Sequence, residues 1–327
     1  MHAIVVTRPG GPDVLQLATV PDPSPARGEV LVRVRATAVN RADLLQRMGM
    51  YPAPPGAPAD IPGLEFAGEV QSVGQDVTEW TPGDRVFGLA GGGTYAEQIV
   101  LPARTLARMP RNLDFVSAAA VPEAFLTAYD AMVLQGRLAA GERVLIHAVG
   151  SGVGTAAVQL ASAIGARPLG TARSRDKLDR ATALGLVHGV VPDHGRFADA
   201  IGAFVGPDAV DLVLELVGGD YLAEDLKCLR PRGRIILVGL MAGRRVDVDL
   251  GAVLGKRLTI TGTVLRSRPL EEKILAARAL QANLVPLFEN GRLAPVVDRV
   301  LPLASAREAH ALLERNETFG KLVLEVP

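Results

Sequence analysis

Cysteine is almost absent from this chain, which has a single one, Cys228, among its 327 residues. One cysteine excludes an intramolecular disulfide and any zinc site built from several thiolates. The scarcity also fits a reducing compartment, where disulfides rarely persist. We therefore expect no covalent cross-link and no cysteine cluster to stabilise the fold.

Charge imbalance and long apolar segments are lacking as well. The 35 Lys and Arg residues balance the 35 Asp and Glu residues, so the chain has no basic field to attract nucleic acid. No apolar run reaches the roughly 18 residues of a membrane span. Residues 3–6 have the pattern of a strand rather than of a secretory leader. We expect a cytosolic protein with no membrane partner, and the balanced charge argues against a nucleic-acid partner.

A glycine-rich turn is the most informative stretch that is present. Residues 143–148 are mainly aliphatic and predict a strand buried on both faces, and residues 155–165 have the small, apolar pattern of a helix. A turn of this kind lets a pyrophosphate approach the helix N-terminus, where free N–H groups favour anions. The candidate residues for binding a dinucleotide are Gly150, Ser151, Gly152, Val153 and Gly154.

The G-x-G-x-x-G motif fits this turn in two registers, neither of them complete. One register begins at Gly150 and ends on Thr155, and the other ends on Gly154 but has Val149 and Ser151 at the earlier positions. A plain strand–helix turn without a ligand is the alternative interpretation.

The order of the predicted elements indicates two domains in an α/β protein. From residue 143 to about residue 263, strands alternate with helices, which predicts a parallel sheet with right-handed crossovers. The first third has short strands such as 29–38 and 64–73, and its proline-rich loop at 49–63 is expected to border a functional site. At 327 residues the chain exceeds the usual size of a single core.

Several local motifs resemble one family over essentially the whole chain. They lie at residues 40–44, 51–52, 62–65, 119–129 and 320–323. The motifs resemble the zinc-free quinone oxidoreductase (zeta-crystallin-like) branch of the medium-chain dehydrogenase/reductase superfamily, and most closely its tumour-suppressor-inducible type. The resemblance implies a GroES-like catalytic domain at 1–121 and 266–327, a Rossmann NADPH-binding domain at 122–265, and an active site in the cleft.

The resemblance also implies that no metal is bound. The alcohol dehydrogenases of this superfamily hold a catalytic zinc through Cys, His or carboxylate ligands. By resemblance, Asn40, Leu64 and Glu123 occupy those ligand positions here, and leucine cannot bind a metal. The five histidines are scattered without short spacings, and we interpret His147, at the end of a buried strand, as satisfying backbone groups.

The residues after the predicted strand 167–171 indicate that the cofactor is NADPH. NAD enzymes place an acid here, about 20 residues past the glycine turn, to bind the ribose 2′-hydroxyl. This chain has Ala172 instead, followed by cations that suit a 2′-phosphate. The candidate phosphate ligands are Arg173, Ser174, Arg175 and Lys177, of which Ser174 and Lys177 match the family's positions. A solvated helix N-terminus is the alternative.

Without a metal to polarise it, the acceptor must take hydride readily, as quinones and activated alkenes do. The resemblance implies NADPH-dependent reduction of a quinone. Three side chains are catalytic candidates. Tyr51 can offer a phenolic hydroxyl or only pack its loop. Asn40 can donate and accept hydrogen bonds or only cap the next helix. Ser151 can touch the pyrophosphate or water, or only fit the turn.

Further cofactor contacts are implied by the resemblance, each with an ordinary core or loop role as the alternative. These residues are Thr127, Val217, Gly239, Leu240, Leu265, Arg266 and Lys321. The Thr- and Ile-rich segment 258–264 is expected to be an edge strand, which proteins normally cover. The family pairs such edges, so we predict a homodimer with one continuous sheet.

Two other functions stay open at this point. A neighbouring branch of the family reduces 2-enoyl thioesters, which are activated alkenes. A non-catalytic protein that senses NADPH or binds RNA is the second alternative, against which the zero net charge argues.

Overall fold

The computed structural model describes residues 1–327 and divides them into two compact units. Residues 1–126 and 265–327 form one unit, here called the terminal unit, and residues 127–264 form the other, the central unit. The resemblance implied boundaries at 121/122 and 265/266, and these stay a prediction. The helix that begins at Pro122 continues to Tyr129.

The first part of the chain is mainly strands joined by turns. Its elements are β1 (His2–Val6), β2 (Leu15–Thr19), β3 (Glu29–Ala38), α1 (Arg41–Arg47), β4 (Glu65–Val73), β5 (Arg85–Leu89), β6 (Gln98–Pro102), β7 (Ala107–Arg108), α2 (Phe115–Ala119) and α3 (Pro122–Tyr129).

The middle part alternates strands with helices, as the sequence predicted. After a π-helical segment (Asp130–Gln135) come β8 (Arg143–Ile146), α4 (Gly152–Ile164), β9 (Arg167–Thr171), α5 (Arg175–Thr182), β10 (His188–Val190), α6 (Ala198–Val205), β11 (Val210–Glu215), α7 (Tyr221–Cys228), β12 (Leu229–Leu237), α8 (Leu250–Lys256) and β13 (Thr259–Gly262).

The last part returns to the terminal unit. It consists of α9 (Leu270–Ala279), a π-helical segment (Leu280–Leu284), α10 (Val285–Glu289), β14 (Val297–Pro302), α11 (Ala306–Arg315) and β15 (Lys321–Glu325). Three short 3₁₀ turns, Pro12–Val14, Ala103–Thr105 and Leu303–Ser305, complete the chain.

The terminal unit is built on a seven-stranded sheet that contains strands from both ends of the chain. Its order is β14-β15-β3-β4-β5-β7, and β6 also pairs with β3. The long strand β3 runs antiparallel to β15, β4 and β6, so residues near the C-terminus are fixed beside those near residue 38. This confirms the GroES-like domain that the resemblance implied.

The central unit is a six-stranded sheet in the order β10-β9-β8-β11-β12-β13, with every neighbouring pair parallel. This is the doubly wound Rossmann order, in which the chain reverses its direction of progress between the first strand and the fourth. Here that reversal lies between β8 and β11. Ligands of such sheets bind at the carboxyl ends of the strands beside the reversal.

One predicted element boundary differs from the structure for a local reason. The strand predicted over 143–148 ends at Ile146, because Ala148 has a left-handed backbone with φ of 49°. None of the helices combines the length and apolar character needed to cross a bilayer.

Candidate active site

The glycine turn connects β8 to α4 and forms the N-terminus of that helix. Ser151 is the N-cap of α4, and its Oγ accepts a hydrogen bond from the N–H of Gly154 at 3.0 Å. A Cβ on Gly154 would lie 2.2 Å from the carbonyl oxygen of Ala148, so only glycine fits. Close packing of strand and helix is the role of the third glycine in the dinucleotide motif. The register that ends on Gly154 is therefore the one the structure favours.

The loop after β9 presents positive charge beside the start of α5. Arg173 and Ser174 are exposed, and Ser174 stands at the N-cap position without using its side chain as a cap. Arg175, in contrast, is paired with Asp179 one turn along, with Nε 3.1 Å from Oδ1. Lys177 is half-buried. Arg173 and Ser174 are thus better placed than Arg175 to bind a phosphate.

The loops after β11 and β12 lie at the same carboxyl edge of the central sheet. Val217 is half-buried in the first loop, and Leu240 is 46% exposed in the second. Gly239 is required where it stands, because an added Cβ would lie 2.6 Å from the carbonyl oxygen of Leu216. Thr127, the first residue of the central unit, is buried. These positions remain predictions as cofactor contacts.

Beneath these loops lies a cluster that sequence reasoning missed, formed by His147, Glu215 and Asp225 and here called the buried triad. The His147 ring bonds side chains rather than backbone groups, which corrects our interpretation of this residue. Its Nδ1 is 2.9 Å from Thr171 Oγ1, and its Nε2 is 2.8 Å from Asp225 Oδ1. The sequence shows an acidic residue at the end of β11, Glu215, and another in α7, Asp225, but it does not show that the two lie together with His147.

In the terminal unit, Asn40, Glu65 and Lys321 form a buried network. The Asn40 side-chain amide donates to Glu65 Oε1 at 2.8 Å, and its oxygen accepts from Lys321 Nζ at 2.6 Å. Lys321 Nζ also contacts Glu65 Oε1 at 2.7 Å and the carbonyl oxygen of Val39 at 3.1 Å. All three N–H donors of Lys321 are therefore used within the protein, and contact of this residue with the cofactor stays a prediction.

This network also bears on whether zinc fits, since Asn40 is, by resemblance, one of the three metal-ligand positions of related dehydrogenases, with Leu64 and Glu123. The ammonium group of Lys321 already provides a positive charge between Asn40 and Glu65. The neighbouring Leu64 is buried and has no ligand atom. The residues at these positions do not fit zinc.

Glu123 adds a second carboxyl group beside this network. Its backbone N–H donates to Glu65 Oε2 at 2.7 Å. Burial, and then the nearby Glu65 carboxylate, raises the pKa of Glu123 to about 8. Glu123 therefore carries a proton at neutral pH. The sequence flagged this position only as a replaced metal ligand, and not as an acid.

Tyr51 is held in place by Arg266. The guanidinium carbon of Arg266 lies 5.0 Å from the centre of the Tyr51 ring, and its Nη1 donates to the Tyr51 carbonyl oxygen at 3.2 Å. Its Nε donates to Gly91 O at 2.8 Å, which ties two loops of the terminal unit together. Burial raises the pKa of the Tyr51 phenol, and the Arg266 charge opposes this. The Tyr51 hydroxyl is thus a neutral donor.

A small cavity in the terminal unit lies beside Glu123. The space open to the centre of a water molecule is about 20 Å³, enough for about one water. Its lining includes Glu123, Leu265, Arg266 and Lys273. A protonated acid, a cation and room for water meet here, which is an arrangement that can store and deliver a proton.

Comparison with known proteins matches both units to one superfamily. The family model described as "Alcohol dehydrogenase GroES-like domain" matches residues 26–111, and the model described as "Zinc-binding dehydrogenase" matches residues 152–281. The human quinone oxidoreductase is 33% identical over 327 residues, covering 99% of this chain and 97% of its own length. A Pseudomonas aeruginosa quinone oxidoreductase is 35% identical over 318 residues, covering 96% of each chain.

Solved structures agree with these matches. The Escherichia coli quinone oxidoreductase complexed with NADPH has a TM-score of 0.89 at 29% identity and covers 99% of this chain and 100% of its own. A structure described as an NAD-dependent alcohol dehydrogenase has a TM-score of 0.88 at 35% identity, with both chains covered completely. The JamJ enoyl reductase, without ligand, has a TM-score of 0.89 at 26% identity and the same complete coverage.

Proposed function

The chain belongs to the quinone oxidoreductase family of the medium-chain dehydrogenase/reductase superfamily, and on this basis we propose that it is a zinc-independent, NADPH-dependent quinone reductase. The observation that carries the proposal is that Leu64, at one metal-ligand position, has no ligand atom, while the amide of Asn40, at another, is held by Glu65 and Lys321. A site of this kind cannot polarise an alcohol or a simple ketone through a metal. The acceptor must therefore be electron-poor by itself, as a quinone is.

NADPH fits the carboxyl edge of the central sheet. Gly154 and the N-terminus of α4 provide room and N–H groups for the pyrophosphate. Arg173 and Ser174 are exposed beside the position where the ribose 2′-phosphate would lie, and no acidic residue stands at Ala172. When bound, the cofactor supplies a hydride, which is two electrons and one proton.

Residues of the terminal unit would supply the proton that the reduction needs in addition to the hydride. Reduction of a quinone to the hydroquinone takes one hydride and one further proton. Tyr51 offers a neutral hydroxyl to a quinone oxygen, and Glu123 holds a proton at neutral pH. Asn40 has its amide fixed by Glu65 and Lys321, so its role is to position these neighbours rather than to transfer a proton. Ser151 acts as the helix cap at the pyrophosphate.

A 2-enoyl thioester reductase is the second candidate, favoured by the likeness to the JamJ enoyl reductase. Its reaction also needs one hydride and one proton, so the same residues would serve. Initial rates with a benzoquinone and with a short 2-enoyl thioester, each with NADPH and with NADH, separate the two functions. We expect the quinone with NADPH to give the highest rate; a faster reaction with the thioester would replace the proposal by the second candidate.

We also propose a cytoplasmic homodimer. The edge strand β13 leaves Ile260 exposed, and the adjacent helix α8 exposes Leu250 by 73% and Leu254 by 80%. An open strand edge beside exposed leucines is a surface that proteins normally cover. Pairing two copies of β13 would cover it. The lone, buried Cys228 accords with a reducing compartment.

A further inference from the structure

The buried triad has an unusual hydrogen-bond pattern for a structural cluster. All three side chains have no exposed surface. His147 Nε2 lies 2.8 Å from Asp225 Oδ1 and 3.8 Å from Glu215 Oε2. Glu215 Oε1 accepts the backbone N–H groups of Val217 at 2.5 Å and of Gly218 at 2.9 Å. One oxygen of each carboxyl group is thus well satisfied.

The other oxygen of each carboxyl group has no donor. Glu215 Oε2 and Asp225 Oδ2 are both fully buried and receive no hydrogen bond from any other group. Two adjacent carboxylates in this state would repel each other and would leave two acceptors desolvated. The Glu215 and Asp225 side chains lie close enough to hydrogen-bond each other. One proton held between the two carboxyl groups therefore removes the repulsion and gives the two oxygens a shared O–H···O bond.

A metal ion explains the geometry less well than a proton does. Two ligands at 2.0–2.1 Å from a tetrahedral zinc lie about 3.3 Å apart. His147 Nε2 and Asp225 Oδ1 are closer, at 2.8 Å, which is a hydrogen-bond distance. His147 Nε2 therefore carries a hydrogen toward Asp225 rather than a lone pair toward an ion.

The surroundings of the buried triad keep its total charge low. Burial raises the pKa of Glu215 to about 7 and also raises the pKa of Asp225, while burial lowers the pKa of His147 and keeps the ring neutral. The other ionisable groups that face the triad are Tyr221, Glu224 and Cys228 on α7, and Arg173 after β9 acts in turn on Tyr221. Of these, Glu224 disfavours a second negative charge on Asp225.

We propose that Glu215 and Asp225 share one proton and that this proton makes the buried triad the positioning element for three cofactor loops. His147 directly precedes the glycine turn, and its partner Thr171 directly precedes Ala172 and Arg173. Glu215 holds the first N–H groups of the loop after β11. When the proton is lost, the two negatively charged carboxylates repel each other. This repulsion displaces the loop after β11, and the displacement weakens cofactor binding. Only the last step rests on the proposed function.

The substitutions Glu215→Gln and Asp225→Asn test this directly, because each replaces the shared O–H by an amide N–H that does not titrate. In Glu215→Gln the side-chain oxygen can still accept from Val217 and Gly218. For the wild type we expect the NADPH dissociation constant to rise about tenfold from pH 7 to 8.5. For Glu215→Gln we expect a rise of less than about twofold. Measuring above pH 7 avoids titration of the 2′-phosphate itself. The exposed Glu308→Gln is the control and should follow the wild type.

Two measurements without cofactor separate this inference from the proposed function. The midpoint of thermal unfolding of the wild type should fall by about 5 °C more than that of Glu215→Gln between pH 6 and pH 8.5. The infrared spectrum of the wild type at pH 6 should contain the C=O band of a buried carboxylic acid that both substitutions remove. If the unfolding midpoints of the wild type and Glu215→Gln change equally with pH and the infrared band is absent, the shared proton is overturned. It is also overturned if the wild type contains one equivalent of a metal ion that Asp225→Asn no longer binds. Failure of NADPH to bind at any pH, with the band present, would overturn only the proposed function.

Discussion

At the scale of single residues, the structure separates side chains that are free to act from those whose hydrogen-bonding capacity is already used. Lys321 was predicted to contact the cofactor, but its donors are all occupied by Val39, Asn40 and Glu65. Arg175 has a partner in Asp179, whereas Arg173, two residues earlier, is exposed. The difference makes Arg173 the better candidate for selecting a phosphorylated cofactor.

Replacement of Arg173 tests cofactor selection. Because a charge-assisted hydrogen bond contributes about 1.5–3 kcal/mol, we expect Arg173→Ala to weaken NADPH binding by roughly tenfold or more and to leave NADH binding unchanged. Arg175→Ala is the matched control and should change the NADPH dissociation constant by less than about threefold. Titration of the nicotinamide fluorescence gives both constants. If Arg173→Ala weakened the binding of NADPH and of NADH equally, Arg173 would not bind the 2′-phosphate.

Replacement of Glu123 tests the proton supply. Its pKa is raised to about 8, so the folded protein holds this proton below pH 8 and loses it above. We expect kcat of the wild type to fall above about pH 8, and kcat of Glu123→Gln to be lower and free of this fall. The same raised pKa makes folding stability decrease as pH rises from about 4 to 8, a contribution that Glu123→Gln removes. The exposed Glu271→Gln should keep the wild-type profile. A wild-type fall that persists in Glu123→Gln would assign the proton to another group.

At the scale of elements, the glycine turn shows what a sequence motif can and cannot convey. In the sequence, both registers depart from the G-x-G-x-x-G motif, and the residue types alone do not favour either one. The structure favours the one ending on Gly154, because the approach of Ala148 to α4 leaves no room for a side chain. Steric proximity of this kind is a property of two packed elements and cannot be inferred from the residue types alone.

Substitution of Gly154 tests this packing. A Cβ would lie 2.2 Å from the Ala148 carbonyl oxygen, so α4 must move away from β8. We expect Gly154→Ala to lower the free energy of unfolding by about 1–3 kcal/mol and to abolish measurable NADPH binding. Gly202→Ala in α6 is the control, since nothing lies within 4 Å of its added Cβ. It should bind NADPH normally and gain about 0.5–1 kcal/mol. Normal NADPH binding by Gly154→Ala would exclude this turn as the pyrophosphate site.

The elements themselves were more predictable than the contacts between their ends. Strands β3 and β9 begin and end at the predicted residues, and for β3 the reason is a β-branched and aliphatic run between turn residues. The buried triad could not be predicted, since His147 and Asp225 are 78 residues apart in sequence. Lys321 and Asn40 are 281 residues apart, and only the pairing of β3 with β15 brings them together. Long-range contacts of this kind depend on the completed sheets.

At the scale of the whole molecule, the balanced charge and the two sheet architectures agree with a small-molecule enzyme. Each sheet brings residues distant in sequence to one edge: the candidate phosphate-binding loops in the central unit, and the acid network in the terminal unit. The remaining exposed feature is the β13 edge with its neighbouring leucines.

A charge on this edge tests the proposed dimer. We expect Ile260→Lys to convert the protein from a dimer to a monomer in sedimentation velocity, because a lysine on an edge strand opposes pairing with a second copy. Leu275→Lys, at another exposed apolar residue, should leave the dimer intact. A wild-type protein that sediments as a monomer at micromolar concentration would remove the dimer from the account.

The central claim is reduction of a quinone by NADPH without a metal. The most direct measurement is the initial rate of NADPH oxidation with a benzoquinone, before and after the purified protein is treated with a strong chelator and analysed for zinc. The account predicts less than about 0.1 equivalent of zinc and an unchanged rate, because Leu64 has no ligand atom and the Asn40 amide is held by Glu65 and Lys321. Stoichiometric zinc, with a rate that disappears on chelation and returns when zinc is added, would contradict it.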